Sequence, residues 1–428
     1  MARIFLGNFD FEHQIATSGY NRPARLAALN AELTAHLLPL TKPDDRVHFD
    51  EPLPHEFLAA AADAGLVHGR SVTNSPPAVS LQAAPWGWSE TALRAASQLG
   101  CHVTAPPLDV VRRANSRTFS HELEIEIGKS LSGARRILAV DDLNDAIRRG
   151  ARKWETPVSD FQWIVKAEFG MAGRERLTGR GDQLDKASIN WLTSRLKQQH
   201  AAYFEPQVQP EIELSTQWDL PMGRAESPTF LGMTEILPGC PGNGIRADDA
   251  FPEVSSETLQ SIVATGRRIA DQLHGDGYFG PLGIDAMVYT STDGQAVVRP
   301  TQDINARWTM GRVALELYRR LNLTGDARWL HVPTEQICQR LGLETKRERQ
   351  EFHRNHTLDV SDQMRRPHEQ SGQQPLPSWT DQSDAWARCL LTSPLWLADR
   401  APKRTGILYT TVPQSDRGRF PDARVERT

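Results

Sequence analysis

The stretch GPLGIDAMVYTSTDGQAVVRPTQDINARWTMG, Gly280 to Gly311, constrains the architecture more than any other part of the chain. Gly283 to Tyr289 reads as a strand, Asp293-Gly294 is a two-residue hairpin signal, and QAVVRP returns. Asp303 and Asn305 lie two apart, which puts both side chains on one face of an extended chain. Asp285 on the partner strand can reach the same spot. Two carboxylates and an amide oxygen suit Mg²⁺, a hard cation that keeps positions open for phosphates. Arg307 follows, and then a predicted helix from Thr309 whose N-terminal N–H groups and partial positive charge suit an anion. Taken singly, a D-x-N pair is more often a turn device, and an arginine a surface charge.

A second stretch, WIVKAEFGMAGRER, gives these pieces company. Trp163, Val165 and Ala167 alternate with Ile164, Lys166 and Glu168, so the run is a predicted strand with a lysine in its middle. Gly170 and Gly173 then bracket Met171-Ala172 ahead of Arg174, a loop whose backbone can come close to a ligand. The 49 basic residues comprise eight lysines and 41 arginines, so a mid-strand lysine is a marked choice. The alternative is a stem that snorkels along the sheet.

The rest of the chain frames these two stretches. Up to about residue 105, strand and helix signals alternate: Arg3 to Leu6, the helix from Pro23, Arg46 to Phe49, EFLAAAADAGL, AVSLQAA, and a helix capped by Ser89 and ended by Gly100. That rhythm predicts a small open parallel sheet without a GxGxxG dinucleotide fingerprint. Trp86 and Trp88 in PWGW read as loop packing before cleft lining. Glu12 and His13 in NFDFEH read as structural before substrate-binding. Further on, RLTGRGDQLD reads as flexible, and FEPQVQPEIELSTQWDL as strand interrupted by Pro206 and Pro210. SETLQSIVATGRRIADQLHGDGY reads as an amphipathic helix. Past about residue 330 the chain reads as charged and irregular.

Composition excludes some function classes. At 428 residues the chain is long enough for two or three domains, and its 39% hydrophobic and 24% charged content is ordinary for a globular protein. A net charge of −4 argues against bulk nucleic-acid binding. No apolar run approaches a membrane span, and the opening MARIFLGNFDFEH lacks the look of a signal peptide. Four scattered cysteines fit reduced thiols, so a cytoplasmic location is expected.

With strand lysine, glycine loop, acidic strand pair, D-I-N, arginine and helix in that order, the chain resembles the ATP-grasp superfamily, over roughly residues 1 to 320. That family includes D-alanine–D-alanine ligase, glutathione synthetase and biotin carboxylase. The resemblance implies a mixed α/β and α+β fold. An N-terminal α/β (pre-ATP-grasp) domain would span 1–105, a small ATP-grasp subdomain with a glycine-rich lid 106–204, and a large subdomain with the metal site 205–330. A C-terminal extension would span 331–428. It further implies that Lys166 contacts ATP phosphates and that Gly170 and Gly173 belong to the lid. Adenine would pack against a hinge at Glu205 and Val208, and Glu213 would reach the ribose. Asp285, Asp303 and Asn305 would hold Mg²⁺, with Mn²⁺ as a substitute, and Arg307 matches the arginine that follows that asparagine. Two positions depart from the pattern. Arg117 in NSRTF stands where the family carries a further lysine, and Asp303 stands for a glutamate.

The activity implied is an ATP-dependent ligase joining a small-molecule or peptide carboxylate to an amine through an acyl phosphate. The cofactors would be ATP and Mg²⁺. No nucleic acid or membrane partner is expected, and a homodimer is left open. A non-catalytic ATP-binding sensor or scaffold is the competing expectation, and a small-molecule kinase a third.

Overall fold

The computed structural model describes residues 1–67, 81–170, 175–239, 241–247, 250–355, 358–365 and 386–411. In chain order its strands begin with β1 (Arg3–Leu6), β2 (Arg46–His48), β3 (Gln82–Pro85), β4 (Arg135–Ile137), β5 (Gln162–Ala167), β6 (Arg176–Arg180) and β7 (Ala202–Pro206). They continue with β8 (Pro210–Leu220), β9 (Thr229–Ile236), β10 (Gly242–Ile245), β11 (Gly280–Thr290) and β12 (Ala296–Asn305). The last are β13 (Ala327–Pro333), β14 (Trp386–Leu391) and β15 (Arg404–Thr411). The chain divides into two compact units. The first comprises Met1–Asn30, Pro76–Met233 and Phe251–Arg312, and the second Ala31–Ser75, Thr234–Ala250 and Val313–Thr428.

In the first unit β1 and β3 pair in parallel, Arg3 opposite Gln82, as the alternating rhythm predicts. Ser89 accepts a hydrogen bond from Ala92 N and starts the helix Glu90–Gln98; Gly100, at φ +69°, follows its end. A four-stranded antiparallel sheet runs β4-β7-β5-β6. Trp163, Val165, Phe161 and Phe204 bury one side of it with Leu143, Ile147 and Leu192. Burying such side chains is worth about 1.5–3 kcal/mol each, enough to hold a small sheet against its helices. RLTGR, predicted flexible, is instead the edge strand β6. Its Gly179 faces the Trp163 ring, and any β-carbon there would strike the indole.

The larger sheet of this unit runs β12-β11-β8-β9. The predicted hairpin is present, and β8 begins at Pro210 after β7 ends at Pro206. The helix Ser256–Gly275, capped by Ser255, packs Ile262 into a core with Ile212, Leu214, Ala286 and Val288.

The second unit corrects the reading of the distal chain as irregular. The end of β9 pairs with β10, and β13, β15 and β14 continue that sheet antiparallel. β15, RTGILYTT, is buried on both faces, so it shows a continuous apolar and threonine run without alternation. The loop EQSGQQPLPSWTDQ lies outside the described residues. Among the described residues, no helix is long and apolar enough to cross a membrane.

One polar feature of this core is titratable. His36 and His331 are buried with ring centroids 4.6 Å apart, and both pack on Trp329. Burial pushes His331 down to about 4, with Arg404 adding to the effect, and pushes His36 well below the usual histidine range. Both rings are therefore neutral at pH 7. A histidine whose folded pKa is depressed stabilises the fold fully above its unfolded value, and that stability is lost as pH falls below it. We expect the stability of wild type relative to His331→Gln to decline between pH 6.5 and 4, by roughly 3 kcal/mol at most. Denaturant titrations of both proteins across that range check it; a pH-independent difference would refute it.

Candidate active site

The site is built on one face of β8, β11 and β12. Asp285 lies opposite Asp303 and Gly283 opposite Asn305, while Ser215 lies opposite Asp285 from β8. Asn305 Nδ2 donates to Asp285 Oδ2 at 3.1 Å, and Ser215 Oγ donates to Asp285 Oδ1 at 2.6 Å. Behind Ser215 stands a relay: Thr309 Oγ1 donates to Gln217 Oε1 (2.6 Å), and Gln217 Nε2 donates to Ser215 Oγ (2.8 Å). Thr309 also caps the helix Met310–Arg320, accepting from Arg312 N at 3.0 Å. Gly283 leaves room for this relay, since a β-carbon there would come within 2.6 Å of Thr309 Cγ2.

Burial and the facing Asp303 push the Asp285 carboxyl up to about 7, against the Ser215 hydrogen bond and Arg307. Two carboxylates held together in this way, with an asparagine beside them, form an oxygen donor set suited to a hard divalent cation. The residues fit Mg²⁺ or Mn²⁺. Among the described residues no cluster of three or more His, Cys, Asp or Glu side chains is placed to hold a metal, so the amide is needed to complete this set.

Arginines flank the pair. Arg117 Nη2 meets Asp303 Oδ2 at 3.3 Å. Arg307 Nη2 donates to Asn305 Oδ1 at 2.8 Å and meets Glu12 Oε1 at 2.6 Å, with the guanidinium 5.9 Å from the Trp86 ring centroid. The NFDFEH and PWGW loops dock on each other, Asn8 Nδ2 donating to Gly87 O at 2.8 Å and Trp308 N to Trp86 O at 2.9 Å. A small, open cleft lies here, lined by Glu12, Arg117, Glu168, Gly170, Asp303 and Asn305.

A buried ionic node lies further along the same strand. Arg299 is 2% exposed and forks onto two carboxylates. Its Nη2 and Nη1 reach Glu205 at 2.8 and 3.0 Å; Nη2 and Nε reach Glu124, the former at 2.8 Å. Lys166 Nζ meets Glu205 Oε2 at 2.8 Å. Burial tends to raise Glu205, but Arg299 and Lys166 outweigh it and hold the carboxyl far below the usual range. Burial raises Glu124 and lowers Lys166, the latter opposed by Glu205.

Beyond the node the face turns apolar. Leu131, Met287 and Tyr289 pack together with Val208, Val297 and Trp154 at their edge. Met287 lies opposite Arg299 on one side and Glu213 on the other. Glu213 accepts from Gln302 Nε2 at 3.1 Å.

The structure thus brings Asp285, Asp303, Asn305, Arg307 and Arg117 together, with Gly170 on the cleft wall. It puts Lys166 with Glu205, and Val208 and Glu213 at the apolar end. Gly173 lies outside the described residues. Sequence reasoning overlooked Arg299, Glu124, Ser215 and Gln217, and it undervalued Glu12. The one available signal was Arg299 itself, a charge inside the run QAVVRP.

No family model matches the chain, and no curated protein matches it. Solved structures do. An N5-carboxyaminoimidazole ribonucleotide synthetase in complex with ADP is 11% identical at a TM-score of 0.49, covering 96% of this chain and 92% of its own. The N5-carboxyaminoimidazole synthetase from Staphylococcus aureus, complexed with ADP, is 10% identical at 0.48, covering 98% and 95%. The biotin carboxylase domain of Hydrogenobacter thermophilus 2-oxoglutarate carboxylase, in complex with MgADP, ADP and bicarbonate, is 11% identical at 0.48, covering 96% and 86%. The parallel β1–β3 pair and the antiparallel sheets with their helices make a mixed α/β and α+β architecture, the fold class expected from the sequence.

Removing one member of a buried charge cluster strands the others. Arg299→Met leaves Glu124 and Glu205 buried with Lys166 as the remaining cation, which should cost about 3–5 kcal/mol of stability. Adding Glu124→Gln should recover part of that loss. Chemical denaturation of the three proteins is the measurement; a single-variant loss under about 1 kcal/mol would mean that the node is dispensable.

Proposed function

We propose that this chain is an ATP-dependent carboxylate–amine ligase, with four segments divided as 1–105, 106–204, 205–330 and 331–428. The observation that carries the proposal is the order of chemistry along one sheet face. An apolar patch at Tyr289 and Met287, with Glu213 level with Met287, is followed by the Asp285–Asp303–Asn305 donor set, then by Arg307. That order matches base, sugar, phosphate-bound metal and reacting acyl group in a nucleotide lying along the face.

In this reading adenine packs at Val208 and the Glu205 hinge, and Glu213 takes the ribose. Lys166 and Arg117 hold phosphate oxygens, with Gly170 on the wall beside them. Asp285, Asp303 and Asn305 hold the divalent cation, which would neutralise phosphate charge when bound. The substrate carboxylate oxygen attacks the γ-phosphorus, the bond to the bridging oxygen breaks, and ADP leaves. Arg307 steadies the charge on the resulting acyl phosphate. The amine then attacks the acyl carbon, phosphate departs and an amide remains. No enzyme nucleophile is required.

One observation favours the reading without turnover. Arg117 already sits on the Asp303 carboxylate, and an arginine that stayed there would compete with a cation. Three readouts separate the classes: ADP release with free phosphate and an amide product for the ligase, phosphate retained on product for a kinase, and ATP binding alone for a sensor.

Lys166→Ala should weaken ATP binding by about 1.5–3 kcal/mol, the worth of a charge-assisted hydrogen bond. Calorimetric titration with ATP tests this, and unchanged affinity would remove Lys166 from the phosphate site. Asp303→Asn should abolish cation-dependent ADP release while leaving the circular dichroism spectrum intact. Activity surviving at ordinary Mg²⁺ would move the metal elsewhere.

A further inference from the structure

The opening N–H groups of a helix need acceptors, and those of the helix Arg117–Glu126 find them in an unusual place. Ser116 N donates to Arg113 O and Phe119 N to Ser116 Oγ, so the local chain meets two of them. Glu168, 50 positions from Thr118, meets the other two. Arg117 N donates to its carbonyl oxygen at 3.1 Å, and Thr118 N to its carboxylate Oε1 at 3.2 Å. Thr118 Oγ1 donates to the second carboxylate oxygen at 3.1 Å and is hydrogen-bonded with Tyr203 Oη on β7. Glu168 is 6% exposed, and its partners here are an N–H and a hydroxyl rather than a cation. The partial positive end of the helix is what its charge meets.

Arg117 has less to hold it than the other guanidiniums of the site. Arg299 forks onto two carboxylates, and Arg307 reaches Asn305, Glu12 and Trp308 O. The Arg117 guanidinium meets Asp303 at 3.3 Å, while its Nε is buried and, among the described residues, without a hydrogen-bond partner. Where that guanidinium lies is therefore set by where the helix begins. Further along the same helix, Glu124 is gripped by Arg299, so the helix is fixed there too. Glu168 stands one residue beyond β5, the strand of Lys166. We infer that Glu168 is a positioning residue: it clamps the first turn of the helix to the end of β5, and so sets Arg117 and Lys166 at the spacing that lets both meet the phosphates of one nucleotide. The inference rests on the nucleotide reading of this face. With the first N–H groups taken, the arginine side chain is the anion-binding group that this helix start provides.

Full-length wild type, Glu168→Ala, Arg117→Ala and the double variant are titrated calorimetrically with ATP in the presence of Mg²⁺. Glu168→Ala should weaken binding by about 10-fold, the worth of one hydrogen bond to a charged group. In the Arg117→Ala background the same change should cost less than about 2-fold, because a residue that acts through Arg117 has nothing left to position. Glu168→Gln keeps an acceptor for Thr118 N and a partner for its hydroxyl, so its affinity should lie within about 2-fold of wild type. Glu168→Asp, which keeps the charge but shortens the reach, takes the place of the alanine variant in the cycle should that one not fold. Equal loss in both backgrounds, or affinity unchanged by Glu168→Ala, would overturn the assignment. So would tighter binding by Glu168→Gln, since the carboxylate would then act on phosphate through its charge. Unchanged affinity in Arg117→Ala would take Arg117 out of the phosphate site and the inference with it, while ATP binding by wild type still stood. Failure of wild type to bind ATP would remove the nucleotide reading itself.

Discussion

A guanidinium taken out of water is tolerated only where carboxylates meet it, and Arg299 meets two. Everything around the site leans on that contact. Arg299 belongs to β12, Glu205 to β7, Lys166 to β5 and Glu124 to the helix Arg117–Glu126, so the node ties the two antiparallel sheets of the first unit to the helix that presents Arg117. Two cations and two anions cancel formally. Burial lowers the Lys166 ammonium, and Glu205 opposes that shift. Charge neutrality of the node is thus a condition of the fold.

The second constraint is register. Side chains alternate with a period of two, so a one-residue slip of β12 against β11 would turn Asp303 and Asn305 away from Asp285. The register holds because Ile284 and Ile304 are buried opposite each other on the other face. Apolar burial on one side of the hairpin therefore forces the carboxylates together on the other. Burial, with the facing Asp303 adding to it, raises the Asp285 carboxyl, and the Ser215–Gln217–Thr309 relay holds that side chain in place.

How far this was legible in the sequence differs by region, for physical reasons. The helix Ser256–Gly275 was readable because it buries one face and exposes the other, the hairpin from its turn signal, and the strand through Lys166 from alternation in its residue types although both of its faces are largely covered. β15 was not, since burial on both faces removes alternation. Asp285, Asp303, Asn305 and Arg307 were readable because a turn signal and a two-residue spacing fix their proximity locally. Glu124 was not: it lies 175 positions from Arg299, and nothing in SHELEIEIG distinguishes the acid that turns inward from its neighbours. Ser215 and Gln217 were missed for the same reason, because short polar residues in a strand carry no mark of what lies across the ladder.

The remaining feature is that the reactive end of the face is already neutralised from within. Arg117 rests on Asp303, and Arg307 on Glu12 and Asn305. Each cation proposed to meet phosphate or acyl phosphate is paired with a group proposed to meet metal or lying beside it. A lone phosphate would take the arginines and leave the acids unpaired, while a lone cation would take the acids and leave the arginines facing it. Either ligand alone breaks favourable pairs in a partly buried place, where stranding a charge costs more than it would at the surface. A metal–nucleotide complex exchanges both sets of partners at once and restores balance. In the proposed ligase the arrangement would favour nucleotide and cation binding together over either binding first, a coupling that follows from the positions of five side chains.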